Sequence, residues 1–404
     1  MKKFLIFGLI FLGLFSAKPK ADTLLVITES TARGYLGPLL PQWVQQIKSE
    51  GRFTRVIVRE AQRYTNMPGT SAQRWASIAI VSNLIARHSP DAVQFIGALP
   101  FYLGGSQNMD GHYARCMVTD GPYCATNLVF TDLNDFGMGG GDYLASNIPG
   151  DGRFDEIAIG STNFARPVAR VDAYAILNSG VVLFTTGCLS NLAINPVVDE
   201  AAALRSYFTN NLAFRRGQWS VSASNFINTS LYSATDYAII TNYVRVPTVY
   251  ASGAPGAGAR TRFFYHNFSN EDMNGVYDAS CAPIRALLAI NYRSFGMEVR
   301  DITGYGNPMP RWLFPGRTTE PYALVTGWSR GSGFFDAPFW LPNTTTNTHI
   351  ADIHRSSMNA QTSTGGDFAG YWPFFYSLFG DLTLPLTGAT TNQPIGQIGT
   401  IQQQ

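Results

Sequence analysis

The alternation of apolar and polar positions makes this chain open as strand, helix, strand, helix, strand. Residues 23–28 (TLLVIT) are a short apolar, β-branched run of the kind that forms a buried strand. Residues 36–49 carry apolar side chains at helical spacing and stop before Gly51. A second strand is expected at 55–59 (RVIVR), then an amphipathic helix at 71–87 with Trp75, Ile78, Ala79, Ser82 and Ile85 along one face. A third strand follows at 92–97 (AVQFIG). Strands alternating with helices in this way predict an α/β fold, a three-layer sandwich around a mostly parallel sheet.

Beyond Leu99 the pattern weakens into a Gly-, Asn- and Asp-rich stretch reaching about Gly152. Periodicity then returns. Strands are expected at 156–160, 180–185, 219–224, 248–251, 262–266, 285–292 and 322–327, and a helix at 197–211 with Pro196 at its start. No repeat or linker divides the chain, so residues 22–386 read as one domain. The Thr/Gln/Gly-rich residues 387–404 read as a tail.

The N-terminus changes the picture of where the protein works. Lys2 and Lys3 precede an unbroken apolar run at 4–15, the pattern of a secretory signal peptide and too short to span a bilayer. Residues 1–21 are read as that signal, which places the protein in the periplasm or outside the cell. The chain has 29 Lys+Arg and 27 Asp+Glu; losing Lys2, Lys3, Lys18 and Lys20 leaves 25 against 27. A balance so near neutrality argues against a nucleic-acid partner held by net charge, and no later segment is apolar enough to cross a membrane.

Of the four cysteines, Cys116 and Cys124 flank a Gly-Pro turn and could close a small disulfide loop in an oxidising compartment. Metal binding is the other reading, with His112 four before Cys116, but one such pair falls short of the usual zinc ligand set. The acidic loops offer Asp132, Asn134, Asp135, Asp142, Asp151 and Asp155, oxygen donors suited to a structural Ca²⁺. Asx-turn chemistry explains the same residues equally well.

Five stretches, in order, resemble gingipain-like, caspase-fold secreted cysteine peptidases. They are FIGALP at 95–100, GSQNMDGH at 105–112, NIPGDGRFDE at 147–156, LAFRRGQ at 212–218 and SLFGDLTL at 377–384, and RFFYH at 262–266 looks like the strand that carries the family's His. The resemblance implies a catalytic His at the end of one strand and a nucleophilic Cys at the end of the next, the imidazole favouring the thiolate. His266 takes the first position without the usual flanking glycines. The following strand runs into Arg293 and Ser294, with no thiol. Cys281 precedes that strand, so it could reach His266 only from outside the strand end. The resemblance thus implies a non-catalytic relative that binds a protein or peptide ligand. Its alternative is an active hydrolase using Cys281 with His266, or Ser294 as a replacement nucleophile. It also implies that the strands at 23–28, 55–59, 92–97, 262–266 and 286–292 share one sheet and one carboxyl edge; opposite edges for His266 and Gly97 would make both the family assignment and the site wrong.

A rival of another class lies at Gly327-Trp328-Ser329-Arg330-Gly331, a G-x-S-x-G sequence followed by Asp336, His349 and His354 in the chain order of an esterase triad. Gly331, Gly333 and Pro338 follow where an elbow needs a helix. His349 and His354, five apart, would point away from each other on a helix and do not make a metal pair.

Overall fold

The computed structural model describes residues 22–65, 71–100, 102–103, 117–118, 128–131, 156–159, 166–174, 196–218, 225–228, 248–251, 260–266, 285–292, 313–314, 323–329, 349–363 and 377–386. The elements in chain order are β1 (Thr23–Thr28), α1 (Ser30–Leu36), α2 (Leu39–Ser49), β2 (Arg55–Glu60), α3 (Ser71–His88), β3 (Ala92–Ile96), β4 (Tyr102–Leu103), β5 (Met117–Val118), β6 (Leu128–Thr131), β7 (Glu156–Ile159) and β8 (Val168–Val171). They continue as α4 (Pro196–Arg215), β9 (Asn225–Asn228), β10 (Thr248–Ala251), β11 (Arg260–His266), β12 (Arg285–Tyr292), β13 (Ala323–Ser329), α5 (Ile350–Ser363) and β14 (Ser377–Gly380).

Ten strands form one sheet in the order β10-β9-β11-β12-β13-β14-β8-β3-β1-β2. β1, β2, β3 and β8 are parallel to one another, and so are β9 to β13. The apolar runs behave as their composition requires: every residue of β1 and β3 is buried. β1 has β2 on one side and β3 on the other, so right-handed crossovers put α1 and α2 on the face opposite α3. α4 packs on α1 and α2, giving helix, sheet and helix layers. This is the mostly parallel α/β sandwich that the periodicity predicts.

Several boundaries differ for local reasons. The helix expected at 36–49 is α2, which starts at Leu39 after its cap Pro38; α1 ahead of it, ended by Gly37 (φ 49°), is not anticipated by the pattern. The 156–160 strand pairs outside the main sheet, antiparallel to β6. The stretch after Leu99, read as loop, holds β4, β5 and β6. Residues 180–185 and 219–224 lie outside the described residues, and β9 begins just after the second of them. β8, β14 and α5 were not expected at all. Among the described residues no helix is long and apolar enough to cross a membrane.

The five strands expected in one sheet are there, but the ladder does not give them one edge. β14 is antiparallel to β13 and parallel to β8; followed pair by pair, this sets the two parallel blocks against each other and His266 opposite Gly97. The link to β8 is the single pair Phe379–Arg170. Packing beyond Gly380 draws the chain toward the amino end of β1. Ala351 N donates to Leu382 O (2.8 Å), Ile350 N donates to Leu384 O (3.0 Å), and Asp352 holds Arg52, which also pairs with Asp22 just ahead of β1. For the course of residues 381–386 this larger set outweighs one bridge. The two clusters described next do not depend on an edge shared between the blocks.

Candidate functional site

At the carboxyl end of β1 the chain turns into α1 through Glu29. Its carboxylate caps the helix, accepting from Thr31 N (2.6 Å) and Ala32 N (2.9 Å). Arg63, just beyond β2, donates to Glu29 Oε1 (2.5 Å) and to both oxygens of Glu200 on α4 (3.2 and 2.6 Å), and lies over the Tyr174 ring. Glu29, Glu200 and Asp172 are all buried. Burial pushes the Glu200 carboxyl up, with Arg63 opposing and Asp172 and Glu29 reinforcing. Burial would lower the Arg63 guanidinium, but Glu200 and Glu29 outweigh it and hold it above its ordinary range. Gly97 (φ 90°) lets β3 end against this cluster: a Cβ there would sit 2.6 Å from Ala32 Cβ and 2.8 Å from Glu29 Oε1.

A second cluster is buried where α2, α4 and the end of β14 meet. Asp381 Oδ2 accepts from Trp43 Nε1 (2.6 Å), Asn211 Nδ2 (2.9 Å) and Arg215 Nη2 (2.7 Å). Its Oδ1 accepts from Thr383 N (2.8 Å) and Thr383 Oγ1 (2.5 Å). Arg215, fully buried, also donates to Asn211, to Thr383 and to Glu50. Burial alone would raise the Asp381 carboxyl; the Arg215 charge and these donors reverse it and hold it below the usual range. Glu50, at the edge of the cluster, is instead pushed up by burial against the pull of Arg215.

These clusters explain two of the sequence stretches: LAFRRGQ supplies Arg215 and SLFGDLTL supplies Asp381 and Thr383. A third, FIGALP, supplies Phe95, Gly97, Leu99 and Pro100. Arg170 of β8 donates to the Leu99 and Pro100 carbonyls (3.2 and 2.6 Å) and lies 4.5 Å from the Phe95 ring centroid. With every oxygen of Asp381 and Glu29 taken by a donor, neither carboxylate is placed to accept a substrate proton. They fasten elements together.

Sequence reasoning passed over Glu29, Arg63, Glu200, Arg170, Arg215 and Asp381. The signal was present as lone charges in apolar surroundings, such as Arg170 within VARV and Arg215 within LAFRR. A charge there is retained only where a partner is buried with it.

Of the residues singled out for chemistry, His266 closes β11 opposite Asn291 of β12. Cys281 and Ser294 lie outside the described residues, as do Asp132, Asn134, Asp135, Asp142, Asp151, Asp155 and all four cysteines. Among the described residues no group of three or more His, Cys, Asp or Glu is arranged to hold a metal ion. Ser329 is the last residue of β13, paired with Tyr292, not the apex of a turn. His349 is tied to Pro385, on the stretch that leaves β14 at the amino end of β13. Ser329 and His349 are thus not brought together as an esterase triad.

His354 is buried in α5, and burial lowers its pKa to about 3. The unfolded chain takes up this proton near pH 6.5 and the folded protein refuses it down to about pH 3. Stability should therefore be intact above pH 6.5 and fall by about 1.4 kcal/mol per unit as pH drops through that window. Denaturant titrations at several pH values should show a shallower acid slope for His354→Leu than for the parent chain; equal slopes would remove His354 as the cause.

No family model matches the chain, and no curated protein matches it. Among solved structures, the crystal structure of the Arg specific cysteine proteinase gingipain R (RGPB) is similar at a TM-score of 0.47 and 10% identity, covering 92% of this chain and 80% of that one. The Francisella novicida lysine decarboxylase LdcF follows at a TM-score of 0.16 and 6% identity, over 78% and 51%. At these values neither places the chain in a family.

Proposed function

We propose that this is an exported protein of gingipain-like ancestry that has lost thiol catalysis and acts by binding a protein or peptide ligand. The observation that carries the reading is the pairing of β11 with β12. They run side by side and parallel, with His266 opposite Asn291, so the chain leaves the strand next to the imidazole through Tyr292 into Arg293 and Ser294. A cysteine mechanism needs a thiol delivered there. Arg293 is protonated at any working pH and cannot act as a base, and a serine without a base is a poor nucleophile. The charged clusters fit the same reading, because Glu29 and Asp381 are wholly engaged in holding helices to the sheet.

The mature protein should remain unlabelled by electrophilic peptide probes for reactive thiols, and His266→Ala should leave its ligand binding unchanged. Labelling of Cys281 that disappears in His266→Ala would make the protein a peptidase and overturn the proposal.

A further inference from the structure

β2 is the outermost strand of the described sheet, with β1 as its neighbour on one side. Arg55 N donates to Asp22 O and Ala61 N to Thr28 O, so the odd-numbered residues of β2 face β1. A residue's N–H and C=O point the same way in a strand, so Val56, Val58 and Glu60 direct theirs outward. Arg59 confirms the direction, since its Nη1 donates to the Val58 carbonyl (2.9 Å). Val56, Ile57 and Val58 are half-buried, neither sealed inside nor fully wet.

Beside this edge stands a concentration of positive charge. Arg55, Arg59 and Arg87 are exposed and close enough together that all three depress the pKa of His88, after burial. Arg59 Nε donates to His88 Nε2 (3.1 Å). Among the described residues none of these three guanidiniums meets a carboxylate, whereas Arg33, Arg52 and Arg63 all do.

From these two features we infer that β2 docks an extended acidic peptide as an added strand. The inference deepens the binding role proposed above and names its surface. Backbone hydrogen bonds to Val56, Val58 and Glu60 would supply affinity, and alternate side chains selectivity. Arg55, Ile57 and Arg59 fall on one face of β2, so a paired strand places side chains opposite them at every second position. The ligand pattern is therefore acidic-x-apolar-x-acidic, with the acids over Arg55 and Arg59 and the apolar residue over Ile57. Arg59 gives up its bond to the Val58 carbonyl on docking and takes a ligand carboxylate instead.

The test uses the full mature protein and three fluorescent capped peptides, read by anisotropy: Thr-Glu-Thr-Ile-Thr-Glu-Thr, the same with Lys for Glu, and a scramble with the two Glu adjacent. The first should bind, more weakly as salt rises, and the others at least tenfold more weakly. Arg59→Glu should weaken binding of the first at least tenfold. Val58→Pro should abolish it while leaving the melting temperature close to the parent's, because the lost N–H points away from β1. Equal binding of all three peptides, unchanged binding by Val58→Pro, no binding of the first peptide, or a dimer that Val58→Pro dissolves would each overturn the inference, the last in favour of a second copy of the chain. Thiol labelling of Cys281 would sink the proposed function and leave this surface standing; failure at β2 sinks the surface alone.

Discussion

Replacing Arg215 by methionine is expected to lower folding stability by about 3–5 kcal/mol, the cost of stranding a buried charge by removing its partner. Arg215 is fully buried, and it neutralises Asp381 while contacting Glu50. Without it Asp381 keeps its donors from Trp43, Asn211 and Thr383 but loses its counter-charge. The carboxyl, held below its usual range in the parent, would then titrate upward, and the variant should recover part of its stability in acid relative to the parent. The double variant Arg215→Met with Asp381→Asn should be less damaged than Arg215→Met alone, because the stranded charge goes with its partner. Urea unfolding of the parent, both single variants and the double closes this cycle. Additive single effects would show that the two residues do not act as a pair.

Gly380→Ala should be at least as damaging, and for a reason that no side-chain rearrangement can relieve. Gly380 has φ 113°, a conformation that L side chains rarely adopt. An added Cβ would overlap the Leu324 carbonyl oxygen and come within 2.8 Å of Val325 Cα, both in the backbone of the paired strand β13. Relief requires β14 to part from β13, so the expected cost is about 4 kcal/mol or more, beyond the ordinary range for one substitution. Gly217 is the control. Its φ is 72° but nothing lies within 4 Å of an added Cβ, so Gly217→Ala should cost only about 1–2 kcal/mol of backbone strain. If the two variants melted alike, the close approach of β13 would not be the cause.

The first half of the sheet was legible because β1, α3 and β3 keep their period for whole elements and are bounded by capping and turn residues. β8 was not, because VARV places an arginine where a buried strand should be apolar. The Leu99 and Pro100 carbonyls and the Phe95 ring, brought in from elsewhere in the chain, help to make that charge tolerable. β14 was missed as a strand for a related reason: four residues are too few for a period, and the signal in SLFGDLTL came from resemblance. The resemblance marked stretches that hold the fold together, Arg215 with Asp381 and Thr383, and pointed away from those clusters to His266 for chemistry. Glu29 stayed hidden because a helix-capping carboxylate and a solvated one are identical in sequence; burial separates them.

The position of β14 also bears on how the chain reaches its final state. Among the described strands the two parallel blocks meet only through β14, which is the last strand in the sequence and pairs with β8 some two hundred residues earlier. Such non-local closure is slow, since the loop entropy is lost before the contact forms. Until Ser377–Gly380 arrives, β8 and β13 each present a bare strand edge to the solvent, the template on which unfinished sheets stick to one another. Completion is therefore a C-terminal event. A nascent chain stopped short of Ser377 has the residues for both blocks and lacks the strand that joins them.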